Sequence, residues 1–520
     1  MIGLLPFKSL ASAGSGTVKA GYLFTDEVGD RALNQETFNV YSGMGLSLER
    51  FSFQFQNGVR VTSDLTDLTL NNRNLTFGIE KTGKFRLDLH NDQYRRFYDF
   101  EGGRFTRRRT TSAQLSVRPI REVELYGGVY LIDRHGDYQD ALAVTRGIAP
   151  MDFRYSTVTT GAHVAHRGRN IDVSYQRFKL TQEIQSDPSQ VDRTADAFRF
   201  DASTPVPKLD QVSLSGGYQY RKDYGDLPGE IKTNLGWGAA RWDLPRDYQL
   251  EYRLVFARTD QTTLDRETDN ATNTVTIGKL WRTGYGIRVG YENRIADDLT
   301  NRTEAHGLLV STWGRIGARF TAKASASFLD KDVVDGTTLT GDQSSSRFKI
   351  SGRYSVPEYG DLCVQWSSRV TTHDPVPVLR DSAGYESTET RVDYQVWSTV
   401  ANIKVKRLGS VNVSYAYYVG EYQNNSRGVN YEFSDHIVQG SVHPRRYENI
   451  EVSARGVYYR SRRDQNAEKF SVGFDAAYFL KDDYVLGASY DAFNADDLLF
   501  VGQYYTANIV RVYIARNVTF

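Results

Sequence analysis

The pattern of apolar and polar positions is an alternation. In Phe51-Ser52-Phe53-Gln54-Phe55-Gln56 the aromatic side chains fall on one side of an extended backbone and the polar ones on the other. Val212, Leu214, Gly216, Tyr218 and Tyr220 oppose Ser213, Ser215, Gly217 and Gln219 in the same way. Tyr248, Leu250, Tyr252, Leu254 and Phe256 oppose Gln249, Glu251, Arg253 and Val255, and shorter runs recur at 411–417, 450–454 and 470–474. No segment holds a helical period over three turns. The pattern predicts an all-β chain.

The connections between these strands alternate in length. Short ones fall at 81–84, 166–170, 244–247, 281–284, 312–315, 406–410, 443–449 and 479–483, with further turns near Glu49, Pro119, Pro207 and Pro357. Longer polar connections fall at 92–108, 133–152, 183–193, 330–345 and 372–386. About twelve short turns recur roughly every 30 to 45 residues, the spacing of a repeated supersecondary unit. A β-propeller repeats at a similar period, but its blades hold four strands and carry their own signature. Here each unit holds two strands of about ten to thirteen residues, long enough to cross a bilayer at a tilt. Short turns at one end and long loops at the other are the asymmetry of outer-membrane barrels.

The expected fold is therefore a large closed antiparallel transmembrane β-barrel. It would have about 26 strands, short periplasmic turns and long extracellular loops. The first strand is placed near 17–24 and the last at 508–520, with both ends of the chain on the short-turn side. Unpaired backbone groups are not tolerated in hydrocarbon, so these two must pair with each other.

Composition fits this picture and narrows the chemistry. Gly (44), Tyr (34) and Phe (26) are abundant while Met (3) and Cys (1) are scarce, a mixture suited to turns and pleated surfaces. The net charge of +1 gives no global field for nucleic acid. Mean hydropathy is −0.51 and no long apolar run occurs, which excludes membrane helices but not membrane strands. Residues 1–16 are read as an N-terminal tail and 17–520 as one barrel domain. Ala11-Ser12-Ala13 before Gly14 resembles a signal-peptidase site, so the tail is either the remnant of an export signal or an ordinary terminus.

Sequence signals for an enzyme are missing. The histidines are scattered, and the close pair His163 and His166 falls on opposite faces of a strand. The common hydrolase, nucleotide and metalloprotease motifs do not occur. The segment 330–336 has the flavour of a calcium loop but lacks the required oxygen spacing, and reads as a solvated loop tip. The single Cys363 excludes an internal disulfide and haem attachment within this chain. The segment 94–109 stands out, with Arg95, Arg96, Arg104, Arg107, Arg108 and Arg109 set among aromatic residues. Guanidinium groups suit phosphate, so it is a candidate lipopolysaccharide or partner loop. The plainer reading is a charged loop whose arginines pair with Asp92, Asp99 and Glu101.

Two resemblances follow from these residues. The alternation ending in Val518 and Phe520 resembles the C-terminal β-signal by which bacterial outer-membrane proteins are recognised for insertion, although Ala515 and Ile514 stand where that signal often has other residues. A barrel of about 26 strands would be about 50 Å across at a tilt near 40°. No segment is left over for a plug such as TonB-dependent receptors carry. That combination resembles the MtrB/PioB family, the porin components of porin–cytochrome conduits, though the Cys-x-x-Cys common near the N-terminus of its members is missing here.

The resemblance implies a bacterial outer-membrane location and a sheath around a multihaem c-type cytochrome. Haem c would be carried by that partner, with an extracellular cytochrome as a further partner and no cofactor, metal or catalytic residue in this chain. Residues opposite the lipid-facing set would contact the guest: Arg86, Asp88, Gln249, Glu251, Arg253 and Arg288. The competing functions are a solute porin or exporter with loops folded inward, and a surface or adhesion barrel that only displays its loops.

Overall fold

The computed structural model describes residues 11–519 apart from 34–36, 99–100, 140–147, 185–186, 226–228, 299–300, 337–341, 374–389, 407–408, 425–428, 482 and 499–502. Its strands, β1 to β26 in chain order, form a single 26-stranded sheet in which every strand is antiparallel to its sequence neighbours. β1 (Ala11–Gly29) closes the ring on β26 (Tyr504–Thr519), in a register unbroken from Ser15 opposite Thr519 to Gly29 opposite Tyr505. The chain is a closed all-β barrel with short periplasmic turns. Among the described residues the only helical pieces are single 3₁₀ turns such as 245–247 and 262–264.

The alternation explains why the sheet curls. On β13 (Tyr248–Gln261) the outward set is Tyr248, Tyr252, Leu254 and Phe256, all exposed, and Leu250 lies between them. The strand rises about 27 Å from Tyr248 to Phe256, or about 21 Å along the axis at a tilt near 40°. The next outward residue, Arg258, pairs with Glu267 and Asp269 of β14 (Arg266–Leu280), which marks the return to water. The belt continues round the barrel by register, Tyr252 opposite Val275, Val275 opposite Tyr291 and Tyr291 opposite Leu308. Outward tyrosines also satisfy outward amides: Tyr252 donates to Asn273 (2.8 Å) and Tyr490 to Asn508 (2.8 Å). An amide facing lipid would otherwise be costly.

The molecule is hollow. Its accessible area is 32618 Å², against roughly 19,000 Å² for a solid monomer of this mass. The excess is the inner wall, which solvent reaches. A buried cluster lies at the extracellular rim. There the loop after β1 turns inward, and Leu33 packs against Ala495, Tyr505 and Ala507 on the lumen side of β25 (Tyr484–Asp497) and β26. β3 (Val59–Thr66) and β4 (Asn74–Lys81) are only 8 residues long, leaving the upper part of β5 (Phe85–Phe97) without a strand on that side. The segment 37–42 fills the notch: Asn39 donates to the Gln93 carbonyl (2.9 Å), and Phe38, 1% exposed, lies edge-on to Phe97.

Several boundaries differ from the sequence reading. β1 begins at Ala11, earlier than the alternation placed it. Glu49 lies within β2 (Gly43–Phe55), where Arg50 at φ 52 marks a bulge; the first short turn is Gln56-Asn57-Gly58. Gly58 takes φ 80 and the Asn57 side chain accepts from the Val59 amide (3.0 Å), the ordinary chemistry of an Asn-Gly turn. The turn expected at 312–315 falls at 317–319. Among the described residues, four of the supposed long loops are largely strand: β5 and β6 (Phe105–Ile120) leave only 98–104 between them, and β17 (Phe320–Gly336) contains the 330–336 segment read as a loop tip; of the fifth, 374–386 lies outside the described residues. Above the membrane both faces meet water, so backbone pairing continues without the apolar stripe that betrays a strand in sequence.

Candidate functional site

The lumen wall combines concavity with chemistry. Side chains two apart on a strand share a face about 7 Å apart, so an Arg-x-Asp run can pair with itself. Arg86 and Asp88 do so at 2.6 Å, Arg241 and Asp243 at 3.2 Å, Glu251 and Arg253 at 3.0 Å, and Arg199 and Asp201 likewise. Arg455 spans strands instead, reaching Asp475 (2.7 Å) and Asp491 (2.5 Å). Such half-exposed pairs stabilise little, up to about 1 kcal/mol each. Their effect is to make most of the wall polar but locally neutral.

All six residues expected to face inward lie on this wall, but not together. Glu251, Arg253 and Arg288 share one recess, and Arg288 donates to the Gln249 amide oxygen (3.2 Å). Arg86 and Asp88 line a second recess with Gln114, Tyr126 and Gln176. The inward His90 and His163 each contact a carboxylate, Asp92 at 3.1 Å and Asp172 at 3.6 Å. Among the described residues no cluster of three metal-ligating side chains forms. Cys363 is a free thiol opposite Arg353 and Val400.

The sequence reading missed one sector. β17, β18 (Gln343–Val356) and β19 (Gly360–His373) carry Lys323, Arg347, Lys349 and Arg369 on the lumen side, none with an ion-pair partner among the described residues. The signal was available: Ser345, Arg347, Lys349, Ser351 and Arg353 share one parity, and β18 contains no acidic residue.

The arginine-rich segment is not a loop. Arg95 and Arg96 lie on β5, Arg107, Arg108 and Arg109 on β6, and only Arg104 in the connection. Arg95 donates to the carbonyls of Phe38 and Val40 (both 2.8 Å) and stacks on Tyr41, pinning the rim segment. Asp92 is bonded to His90 rather than to an arginine, and Asp99 lies outside the described residues. Arg96 and Arg107 sit over Tyr98 and Phe105. At the other terminus Val518 pairs with Gly16, and Phe520 lies outside the described residues.

No protein-family model matches the sequence, and no curated protein matches it. Solved structures do. The siderophore receptor PirA from Pseudomonas aeruginosa superposes with a TM-score of 0.50 at 9% identity, covering 97% of this chain and 80% of that one. A variant of the ferric enterobactin receptor PfeA from the same organism gives 0.52 at 9% identity, with 97% and 80% covered. The FrpB iron transporter from Neisseria meningitidis gives 0.51 at 9% identity, with 98% and 82% covered. At such identities the likeness establishes the fold. The chain is a barrel of the bacterial outer membrane, and these structural neighbours are transport proteins rather than enzymes.

Proposed function

We propose that this barrel is the sheath of a transmembrane electron conduit, enclosing a separate multihaem c-type cytochrome. The observation that carries the reading is the wide lumen lined by polar side chains. At about 50 Å between backbones, a wall of inward side chains leaves a bore of about 35 Å. A domain of about 100 residues, with a radius of gyration near 13 Å, is about 34 Å across. A guest of that girth would fill the bore, and the barrel would insulate it from lipid. The chain itself would transfer no electrons, and any haem would belong to the guest. Its own contribution would be a wetted, mostly neutral wall against which Arg86, Asp88, Gln249, Glu251, Arg253 and Arg288 meet the guest's surface.

A second reading, passage of a solute, is favoured by the inward turn of the loop after β1 at the extracellular mouth. Purification from native outer membranes in mild detergent separates the two. The sheath reading expects haem absorbance and a cytochrome to follow the barrel through successive columns, and electrons to cross vesicles holding the complex. Barrel recovered alone, conducting ions in planar bilayers, would refute it and support passage.

A further inference from the structure

We propose that the lumenal face of β17–β19 is an oxyanion-binding site for a ligand bearing closely spaced carboxylates. The argument starts from register. Arg347 lies directly opposite Arg369, and Lys349 stands two residues along on the same face. Directly opposed residues hold their Cβ atoms about 5 Å apart, and like charges there are destabilising. Elsewhere on this wall Arg86, Arg199, Arg241, Arg253 and Arg455 each have a carboxylate partner. In this sector the described residues supply none to Arg347, Lys349 or Arg369.

The neighbours of these cations are small hydroxyl residues. Arg347 is flanked by Ser327, and Lys349 lies between Ser325 and Ser367. Short side chains leave open space beside the long ones, and hydroxyls add donors that an oxyanion can use. The result is a recess of about 630 Å³ on the lumen wall, lined by all of these residues; its far side carries Glu251 and Glu292, which are already paired with Arg253 and Arg294. Two guanidinium groups and an ammonium converging over serines match two or more carboxylates better than a single chloride-sized charge.

The carboxylates could come from a small solute or from the surface of a lumenal guest, and the site stands whichever it is. Citrate is the probe for the purified, guest-free barrel. Isothermal titration at low ionic strength is expected to show citrate binding that weakens at least tenfold in Arg347→Gln/Arg369→Gln. Arg199→Gln, which disrupts a self-paired site elsewhere on the wall, should leave the affinity unchanged. The single variant Arg369→Gln should also melt higher than wild type without citrate, since it removes the opposed charge, and lose that advantage when citrate saturates the wild type. No citrate binding by the wild type, or equal binding by the double variant, would overturn the site. In native membranes, a guest that washes out at lower salt from the double variant identifies protein carboxylates as the source. Unchanged guest retention with lost citrate binding identifies a solute. A barrel that never yields a guest would refute the sheath and leave the citrate result intact.

Discussion

Replacing Phe38 by Ala tests whether the rim core is a separate cooperative unit. Phe38 is 1% exposed, edge-on to Phe97 at 5.8 Å and close to Tyr94 at 6.4 Å. Truncating a buried Phe to Ala costs about 3–5 kcal/mol when the surroundings cannot collapse. Here the loss falls on the segment 37–42 alone, because the strands beneath it are held by their own ladder. The segment keeps the Thr37–Tyr505 hydrogen bond (2.6 Å) and the Arg95 bonds to two of its carbonyls, so it should loosen rather than detach. A loss of about 3 kcal/mol raises the open population on the order of a hundredfold. Amide exchange of Val40, whose N–H donates to the Thr37 carbonyl (3.1 Å), reads that population directly. The expected result is faster exchange at Val40 by that factor, with the thermal melt of the barrel unmoved. Unchanged exchange, or a melt that falls in step with it, would refute the idea of a local unit.

Other expectations are independent of the rim. Val413→Lys places a charge in the lipid-facing band and should cost about 2–4 kcal/mol near the midplane, while the neighbouring Ser414→Lys faces the lumen and should be close to neutral; refolding into vesicles distinguishes them, and equal effects would reverse the assigned faces. Gly58 and Gly360 both take positive φ, at 80 and 117, but a Cβ at Gly58 meets nothing while one at Gly360 would lie 1.8 Å from the Asn402 carbonyl oxygen. Gly360→Ala should therefore lower the melting temperature much more than Gly58→Ala, for which the backbone conformation alone costs about 1 kcal/mol. In the extracellular connection after β11 (Leu209–Gly225), the Glu230 carboxyl is held down at about 2 from an ordinary 4.5 by Lys222 and Lys232 on the flanking strands, both at 2.8 Å. The folded value lies below the unfolded one, so its stabilising contribution is present above pH 4.5 and disappears as pH falls toward 2. A carbon-13 titration of Glu230 with a midpoint near its ordinary value would show that neither lysine holds it.

The architecture was legible because lipid demands it. Wherever a strand crosses hydrocarbon, every second residue must be apolar, and runs such as Tyr248 to Phe256 carry that demand openly. Above the membrane the demand lapses, so the continued pairing of Arg95 with Arg107 and Tyr94 with Arg108 looked like a charged loop. Phe38 gave no sign of burial, being a lone aromatic in a polar stretch; its partners are distant in sequence and only the short β3 and β4 make room for it. The bulge at Arg50 hid the first hairpin, although Asn57-Gly58 spells it out. Inward parity placed Arg86, Asp88, Gln249, Glu251, Arg253 and Arg288 on the wall. Parity within one strand, however, does not tell which cations find an acid on the next: Arg353 reaches Asp361, while Arg347, Lys349 and Arg369 find none among the described residues.

The seam between β1 and β26 has a consequence for how the molecule comes into being. Its two halves stand at opposite extremes of the described chain, so no hairpin can form this join and it must be stitched last. Until then the growing sheet has two raw margins of unsatisfied amides and carbonyls, neither tolerable in oil. Removing the final strand would leave a gutter with open lips instead of a slightly narrower tube, and assembly must shelter those lips until they meet.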